Sequence, residues 1–248
     1  MLDSVNLENL LFFDIETVPQ YGNFNELPES FKELWELKGR RIAKEGEPVP
    51  GDFFYERAGI YAEFGKAICI SAGYFKKSDS GKMNFRLKTF ASENEREVLL
   101  QFKELLGKHY SATENGLCGH NIKEFDIPYL CRRMLVNGIM LPNILDLFGK
   151  KPWEVQHVDT MQLWKFGDVK SYTSLKLLAA IFNIQTPKDD IDGSDVARVF
   201  WQEKNLPRIV RYCQKDVITV AQLLLKFKGL PLLNEQDIVV TNGGLQTA

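Results

Sequence analysis

The sequence has few of the residues and patterns that mark several large classes of protein. It contains four cysteines in 248 residues, and none stands in a Cys-x-x-Cys pair, which argues against a zinc site. The four lie singly in apolar stretches, so we expect reduced, mostly buried thiols. No apolar run reaches the roughly 18 residues of a membrane-spanning helix, and the polar stretch Met1–Asn9 lacks a signal-peptide pattern. We therefore expect a soluble, cytoplasmic protein.

The chain also lacks an excess of positive charge, an internal repeat and a low-complexity tract. Its net charge of −2 excludes a strongly basic nucleic-acid binder, but not an enzyme that holds a short strand with local positive charge. With 44% hydrophobic and 26% charged residues, the chain is expected to fold around one sizeable core. We expect residues 1–248 to form a single domain, with 241–248 as a flexible tail.

Short apolar segments alternate with helical patterns along the chain. Runs of apolar or alternating residues predict strands at Leu10–Ile15, Ala67–Phe75, Asn84–Phe90, Gly116–Asn121 and Val155–Met161. Helical spacing predicts helices from a capping box at Ser92 and Glu95, and over Pro28–Ala43, Asp126–Val136, Ser174–Phe182, Ser194–Glu203 and Leu206–Phe227. This order predicts an α/β or α+β sheet with helices packed on it.

One long segment interrupts this pattern. Residues 20–65 separate the first two predicted strands and exceed an ordinary connection, so we interpret them as an insertion or a functional loop. The segment holds a basic and an aromatic set: Lys38, Arg40, Arg41, Lys44, Phe53, Phe54, Tyr55, Tyr61 and Phe64. It is either a strand-binding element or a surface excursion that covers the sheet edge.

Acidic residues stand at three points where strands or helices begin or end. Asp14 and Glu16 follow a buried apolar run and point to one face of the first strand. Asp126 begins a predicted helix, where it either caps the helix or joins a site. Tyr212 and Asp216 are four residues apart on a late helix and face the same way. Such carboxylates suit magnesium or manganese, although each segment alone also has an ordinary structural explanation.

Together, the three segments resemble the DEDD exonuclease superfamily in its tyrosine-bearing branch. The segment Phe12–Thr17 matches its D-x-E strand motif. Asn121, Phe125 and Asp126 match N-x3-[FY]-D, and Arg211–Val217 contains Y-x3-D. The wording D-I-E-T-x-P and H-N-x3-F-D-x-P-Y-L is similar to the proofreading exonuclease domain of family B DNA polymerases, in particular to stand-alone bacterial relatives of that domain.

The resemblance implies an α/β, ribonuclease H-like fold, with a central mixed β-sheet flanked by helices and a long insertion after the first strand. It implies a 3′→5′ exonuclease that uses two divalent metal ions, Mg²⁺ or Mn²⁺, at catalytic residues Asp14, Glu16, Asp126, Tyr212 and Asp216. The four acids would be the metal ligands, and Tyr212 would orient the attacking water.

The implied partner is the 3′ end of a single-stranded nucleic acid, with DNA favoured over RNA. We expect Thr17, His120, Asn121 and Phe125 to line the substrate pocket, although His120 also fits a loop histidine with local hydrogen bonds and Phe125 a core residue. Two alternatives stay open: an RNA 3′ exonuclease with the same site, and an inactive ribonuclease H-like module that binds nucleic acid or a protein partner.

Overall fold

A mixed sheet forms the centre of the protein. The structure, a computed structural model, describes residues 2–43, 51, 57–78, 81–168, 172–185 and 191–241. Within these residues the strands are β1 (Leu10–Pro19), β2 (Gly65–Lys77), β3 (Met83–Ala91), β4 (Gly116–Gly119), β5 (Val158–Asp159) and β6 (Ile238–Thr241), in the order β5-β4-β1-β2-β3-β6. β2 runs antiparallel to β1 and β3, and the other pairs are parallel. The predicted α/β class with a central mixed sheet is confirmed.

Helices cover both faces of this sheet. They are α1 (Glu29–Ile42), α2 (Glu95–His109), α3 (Asp126–Val136), α4 (Thr160–Lys165), α5 (Leu175–Ile181), α6 (Val196–Trp201) and α7 (Leu206–Phe227). The bounds of α3 and α7 are those that the helical spacing predicts. In the described part of the chain, no helix is both long enough and apolar enough to cross a membrane.

Strand β1 is buried on both faces, which explains its continuous apolar run. Leu11 and Phe13 point to one face and pack into the core that also holds apolar residues of α2 and α3. Leu10 and Phe12 point to the other face and pack against apolar residues of α7. By the same alternation, Asp14 and the residue two positions later continue the face that α7 covers.

The first strand extends further than the sequence indicates, which corrects the placement of its acids at a strand end. Its parallel pairing with β4 stops at Phe12, but its antiparallel pairing with β2 continues to Pro19. Beyond Phe12, β1 therefore has no paired strand on the β4 side among the described residues, and an edge position of this kind tolerates a proline. Asp14 and Glu16 consequently lie within a strand, at the point where the sheet opens on one side.

Three local predictions are wrong. Asn94, and not Ser92, caps α2 through its side chain, because Glu95 is turned into the interior. The segment predicted as a strand at Val155–Met161 contains only the two residues of β5 before α4 begins. The expected tail begins too early, because Thr241 belongs to β6; residues 242–248 lie outside the described residues.

The described part of the insertion has a small core of its own. Trp35 of α1 is fully buried with Phe64 and Ala58, and the Trp35 and Phe64 ring centroids are 5.1 Å apart. Of its basic set, Lys38 pairs with Glu63 at 3.5 Å. Lys44, Phe53, Phe54 and Tyr55 lie outside the described residues. The role of the segment and the single-domain boundaries stay predictions.

Candidate active site

Two acids of β1 and one face of α7 meet above the sheet. Cys213 lies against Asp14, with its Sγ 3.5 Å from the Asp14 carbonyl oxygen and 3.6 Å from Oδ2. One ligand atom each of Asp14, Glu16 and Cys213 lies within 4.8 Å of the others. A β-bulge follows directly, between Glu16 and Thr17. Such bulges often lie beside active sites because they bend the strand and re-aim its side chains.

Asp126 approaches the same acids from α3. It is the first residue of that helix, whereas Phe125 occupies the cap position, so the capping alternative for Asp126 does not describe its place. The side chain is 3% exposed, and its carboxylate accepts hydrogen bonds from its own backbone N–H and from that of Ile15. The second bond ties Asp126 to the strand between the two acids of β1.

The acids repel one another in a poorly solvated place. Burial raises the pKa of Asp14 well above its usual range, and the charges of Asp126 and Asp216 raise it further. Burial and the charges of Asp14 and Asp216 likewise raise the pKa of Glu16. Burial raises the pKa of Asp126 to about 7. Four of the predicted site residues therefore form one electrostatic unit.

Tyr212 completes the set on α7. Its hydroxyl donates a hydrogen bond to Asp216, one helical turn further along, and both side chains are partly exposed. Burial, followed by the charges of Asp216 and Glu16, raises the pKa of the Tyr212 phenol well above its usual range. The phenol thus stays protonated at neutral pH and can donate or accept hydrogen bonds, but it cannot serve as a base.

Glu16 provides the test of whether a cation fits. Its side chain is 7% exposed, yet it makes no hydrogen bond and no ion pair with any residue that the structure describes. A carboxylate buried in this way is costly unless a positive charge compensates it. The neighbouring donors are mainly carboxylate oxygens, which suit Mg²⁺ and Mn²⁺. The residues present therefore fit divalent cations.

The loop after β4 carries several predicted substrate residues, and Asp159 fixes its shape. The Asp159 carboxylate accepts from the backbone N–H groups of Asn121, Lys123, Met161 and Gln162. With all four bonds and 2% exposure, Asp159 holds the backbone of this loop in place. Asn121 itself has a left-handed backbone, with φ of 66°.

The remaining substrate residues have partners within the protein. The His120 ring nitrogens lie 3.0 Å from Thr160 Oγ1 and 2.8 Å from the Thr173 carbonyl oxygen. Phe125 is partly buried, and its ring lies against that of Tyr129 with centroids 5.4 Å apart and an interplanar angle of 40°. The Thr17 hydroxyl donates to the Tyr129 oxygen. Their contact with substrate stays a prediction.

Cys213 is the site residue that the sequence motifs do not reveal. It is fully buried, whereas Tyr212 beside it is only partly buried. The signal was present, because Ile209, Cys213 and Val217 recur every four residues and form the buried face of α7. The chain's four cysteines are free; Cys69, Cys118 and Cys213 are buried, and Cys131 is partly exposed.

A mixed sheet in which acids gather beyond the end of a parallel strand pair agrees with the ribonuclease H-like fold that the sequence resemblance implies. Comparison with known proteins agrees. A family model described as "Predicted 3'-5' exonuclease related to the exonuclease domain of PolB" matches residues 60–235. The chain belongs to this family.

A solved structure supports the fold. The family B DNA polymerase from the hyperthermophilic archaeon Pyrobaculum calidifontis superposes with a TM-score of 0.51 at 18% sequence identity. The match covers 88% of this chain but only 24% of the polymerase chain. None of the curated proteins compared with the chain matches it.

Proposed function

We propose that this protein is a metal-dependent 3′→5′ exonuclease that removes nucleotides from the 3′ end of single-stranded DNA. The observation that carries the proposal is the meeting of Asp14, Glu16 and Asp126 in one poorly solvated place, where burial and mutual repulsion raise the pKa of all three carboxyl groups. The family assignment supports the reaction class. DNA is favoured over RNA because the sequences of the motifs resemble those of a DNA polymerase domain.

Asp14, Glu16, Asp126 and Asp216 would hold two divalent cations, Mg²⁺ or Mn²⁺. When bound, these ions would supply Lewis-acid catalysis and activate water for an in-line displacement at phosphorus. In the reaction, the water oxygen forms a bond to phosphorus, and the bond from phosphorus to the 3′ oxygen of the preceding nucleotide breaks. The products are a nucleoside 5′-monophosphate and a strand with a new 3′ hydroxyl.

The protein's own residues would place the reacting groups. Tyr212, held by Asp216, would hydrogen-bond the attacking water as a neutral phenol and fix its direction. Thr17, Asn121 and Phe125 lie on β1 and in the adjoining loop and would line the pocket of the terminal nucleotide, with His120 behind them. We further propose that residues 1–248 form one exonuclease domain, with 20–65 as its insertion.

The test is the degradation of a single-stranded oligonucleotide labelled at its 5′ end, with Mg²⁺ or Mn²⁺. We expect a ladder that shortens from the 3′ end, and we expect Asp14→Ala to abolish it. A ladder shortened from the 5′ end, or purely internal cuts, would overturn the polarity. Unchanged activity in Asp14→Ala would show that the site is wrong.

Two other outcomes separate the alternatives. Faster degradation of a matched RNA oligonucleotide would identify an RNA 3′ exonuclease with the same site. Binding of single strands without degradation in either metal would favour the inactive module. The crowding of buried acids speaks against that module, because binding alone gains nothing from their mutual repulsion.

A further inference from the structure

An aromatic side chain with two ammonium groups lies further along the strand that carries the acids. Trp201, the last residue of α6, donates a hydrogen bond from Nε1 to the Pro19 carbonyl oxygen at 3.1 Å. Phe200 packs against the indole edge-on, with ring centroids 5.1 Å apart and an interplanar angle of 87°. These contacts hold the indole in a fixed place at the end of β1.

This indole lies on the side of the sheet that carries the acidic cluster. Phe200 belongs to the same apolar cluster as Val18 and Cys213, Trp201 packs against this cluster, and Cys213 also touches Asp14. Three residues of extended strand separate Glu16 from Pro19, a distance of roughly 10 Å. The indole is therefore within a few nucleotides' reach of the acids.

The ammonium groups of two lysines lie over the ring. Lys66 Nζ lies 4.9 Å from the centroids of both the Trp201 and Phe200 rings, and Lys204 Nζ lies 5.0 Å from the Trp201 ring. Neither lysine forms an ion pair with an acid that the structure describes. Lys66 donates instead to the Glu93 carbonyl oxygen at 3.3 Å. No described carboxylate therefore neutralises either ammonium group through an ion pair.

The acids around this place are engaged elsewhere. Glu203 contacts Arg198 and pairs with Arg208 at 2.7 Å. Glu26 lines the adjoining cleft, but its carboxylate accepts bonds from the Gly22 backbone N–H and from Asn23. Its charge still favours a ligand that presents a base, rather than a phosphate, on that side.

An open cleft borders the indole. Its volume is about 520 Å³, and it is lined by Gly22, Asn23, Glu26, Trp201, Gln202 and Lys204. A cleft of this size admits a nucleotide. Grooves for single-stranded nucleic acid combine an aromatic surface for base stacking with cations for the backbone.

We propose that Trp201, Lys66 and Lys204 form a strand-binding subsite for the nucleotides on the 5′ side of the scissile bond. A base stacks on the Trp201 indole, and the two ammonium groups contact backbone phosphates. This inference rests on the proposed function, because it takes the acidic cluster as the place of the 3′ end. The subsite provides local positive charge for binding a polyanion in a protein whose net charge is −2.

The test compares kcat/KM on single-stranded oligonucleotides of two, four, eight and twelve nucleotides over a range of salt concentrations. Each phosphate contact contributes about 0.7 to the slope of log affinity against log salt for single strands. On the longer substrates, Lys204→Gln should reduce the magnitude of the slope of log kcat/KM against log salt by about 0.7. The double variant Lys66→Gln/Lys204→Gln should reduce it by about twice as much. The dinucleotide should show no change. Lys77→Gln, a lysine at the far end of β2, is the matched control and should behave as wild type.

A second measurement reports on the base. With 2-aminopurine placed at successive positions from the 3′ end, Trp201→Leu should remove the fluorescence quenching at one internal position, whereas Trp201→Phe should keep most of it. Wild-type slopes in the lysine variants, with normal degradation by the wild type, would overturn the subsite and leave the exonuclease intact. No degradation by the wild type would overturn the proposed function itself. A lower melting temperature in Trp201→Leu without any positional fluorescence change would show that the indole is only structural.

Discussion

Two buried glutamates of this protein are equally shielded from solvent and differ in what surrounds them. Glu16 and Glu95 are each 7% exposed. Two nitrogens of Arg133 donate hydrogen bonds to the Glu95 carboxylate at 2.9 and 2.5 Å. The Ala67 backbone N–H and Asn137 Nδ2 donate two further hydrogen bonds to it at 2.7 and 2.9 Å. Glu16 has no such partner among the described residues and faces other acids instead.

We infer that the difference separates a structural acid from a functional one. A buried carboxylate with a bidentate arginine and two further donors has its charge and its lone pairs compensated within the fold. The Glu95 group thereby joins α2, α3 and β2, and Arg133 also donates to the Ala62 carbonyl oxygen at 2.8 Å. Glu16 has no such compensation from the described residues, which suits a place where cations bind and substrate arrives.

The first test of the difference between the two glutamates is to neutralise Glu16. Glu16→Gln keeps the shape of the side chain and removes a proposed ligand, so we expect kcat for the release of 3′ nucleotides to fall by about 10³-fold. In EDTA, its free energy of unfolding should equal or exceed that of the wild type, because a buried repulsion is lost. A variant that loses stability but keeps its activity would place Glu16 with the structural acids.

The matched change is Glu95→Gln, which leaves Arg133 buried without its counter-charge. Breaking a buried pair in this way costs about 3–5 kcal/mol of unfolding free energy. Denaturant unfolding measures this loss, while kcat of the folded enzyme should change little. The double variant Glu95→Gln/Arg133→Met should recover part of the stability; no recovery would contradict the pairing as the cause.

The third prediction concerns pH. The pKa of Asp126 is raised from its ordinary 3.8 to about 7, and those of Asp14 and Glu16 are raised too, so the folded protein binds more protons than the unfolded chain. Their contribution to stability is fully present below about pH 4 and is lost as pH rises through about 7. In EDTA, the melting temperature should therefore fall between pH 5 and pH 8.

Divalent cations should reverse this trend. With Mn²⁺ present, the ionised acids gain a partner, and the melting temperature should hold or rise over the same pH range. Asp126→Asn should flatten the slope in EDTA. A metal-free protein whose stability rises with pH would contradict the raised pKa values.

The smallest effect is expected at Tyr129, which lies on α3 between Asp126 and Arg133. Its hydroxyl donates to the Gly59 carbonyl oxygen at 2.9 Å and accepts from Thr17. Tyr129→Phe leaves these buried groups unsatisfied and should cost about 1–3 kcal/mol of unfolding free energy. Because Thr17 follows Glu16, KM for short oligonucleotides should also rise. An unchanged melting temperature would show that water replaces the hydroxyl.

Local patterns predict the elements whose signals lie within a few residues. The apolar residues of α7 repeat every three to four positions, and its bounds follow from that repeat. The acidic motifs likewise predict the relation to the family B polymerase exonuclease domain, which the family match over residues 60–235 confirms. Partners distant in sequence are not visible in this way: the contact of Glu95 with Arg133 spans 38 residues, and β1 extends to Pro19 only because β2 pairs with it.

The same reason explains the missed features of the site. Cys213 reaches Asp14 across 199 residues, and only the packing of α7 on β1 brings them together. Likewise, β6 is four residues long and forms by pairing with β3. A strand of that length carries too few alternating residues to be distinguished from a tail.

The central claim is that the acids of β1 and their neighbours bind divalent cations. Calorimetric titration of Mn²⁺ into the wild type, Glu16→Gln and Glu95→Gln tests it most directly. We predict that the wild type and Glu95→Gln bind with the same affinity, and that Glu16→Gln binds at least about tenfold more weakly. Equal binding by the wild type and Glu16→Gln, or no binding by the wild type, would contradict the claim.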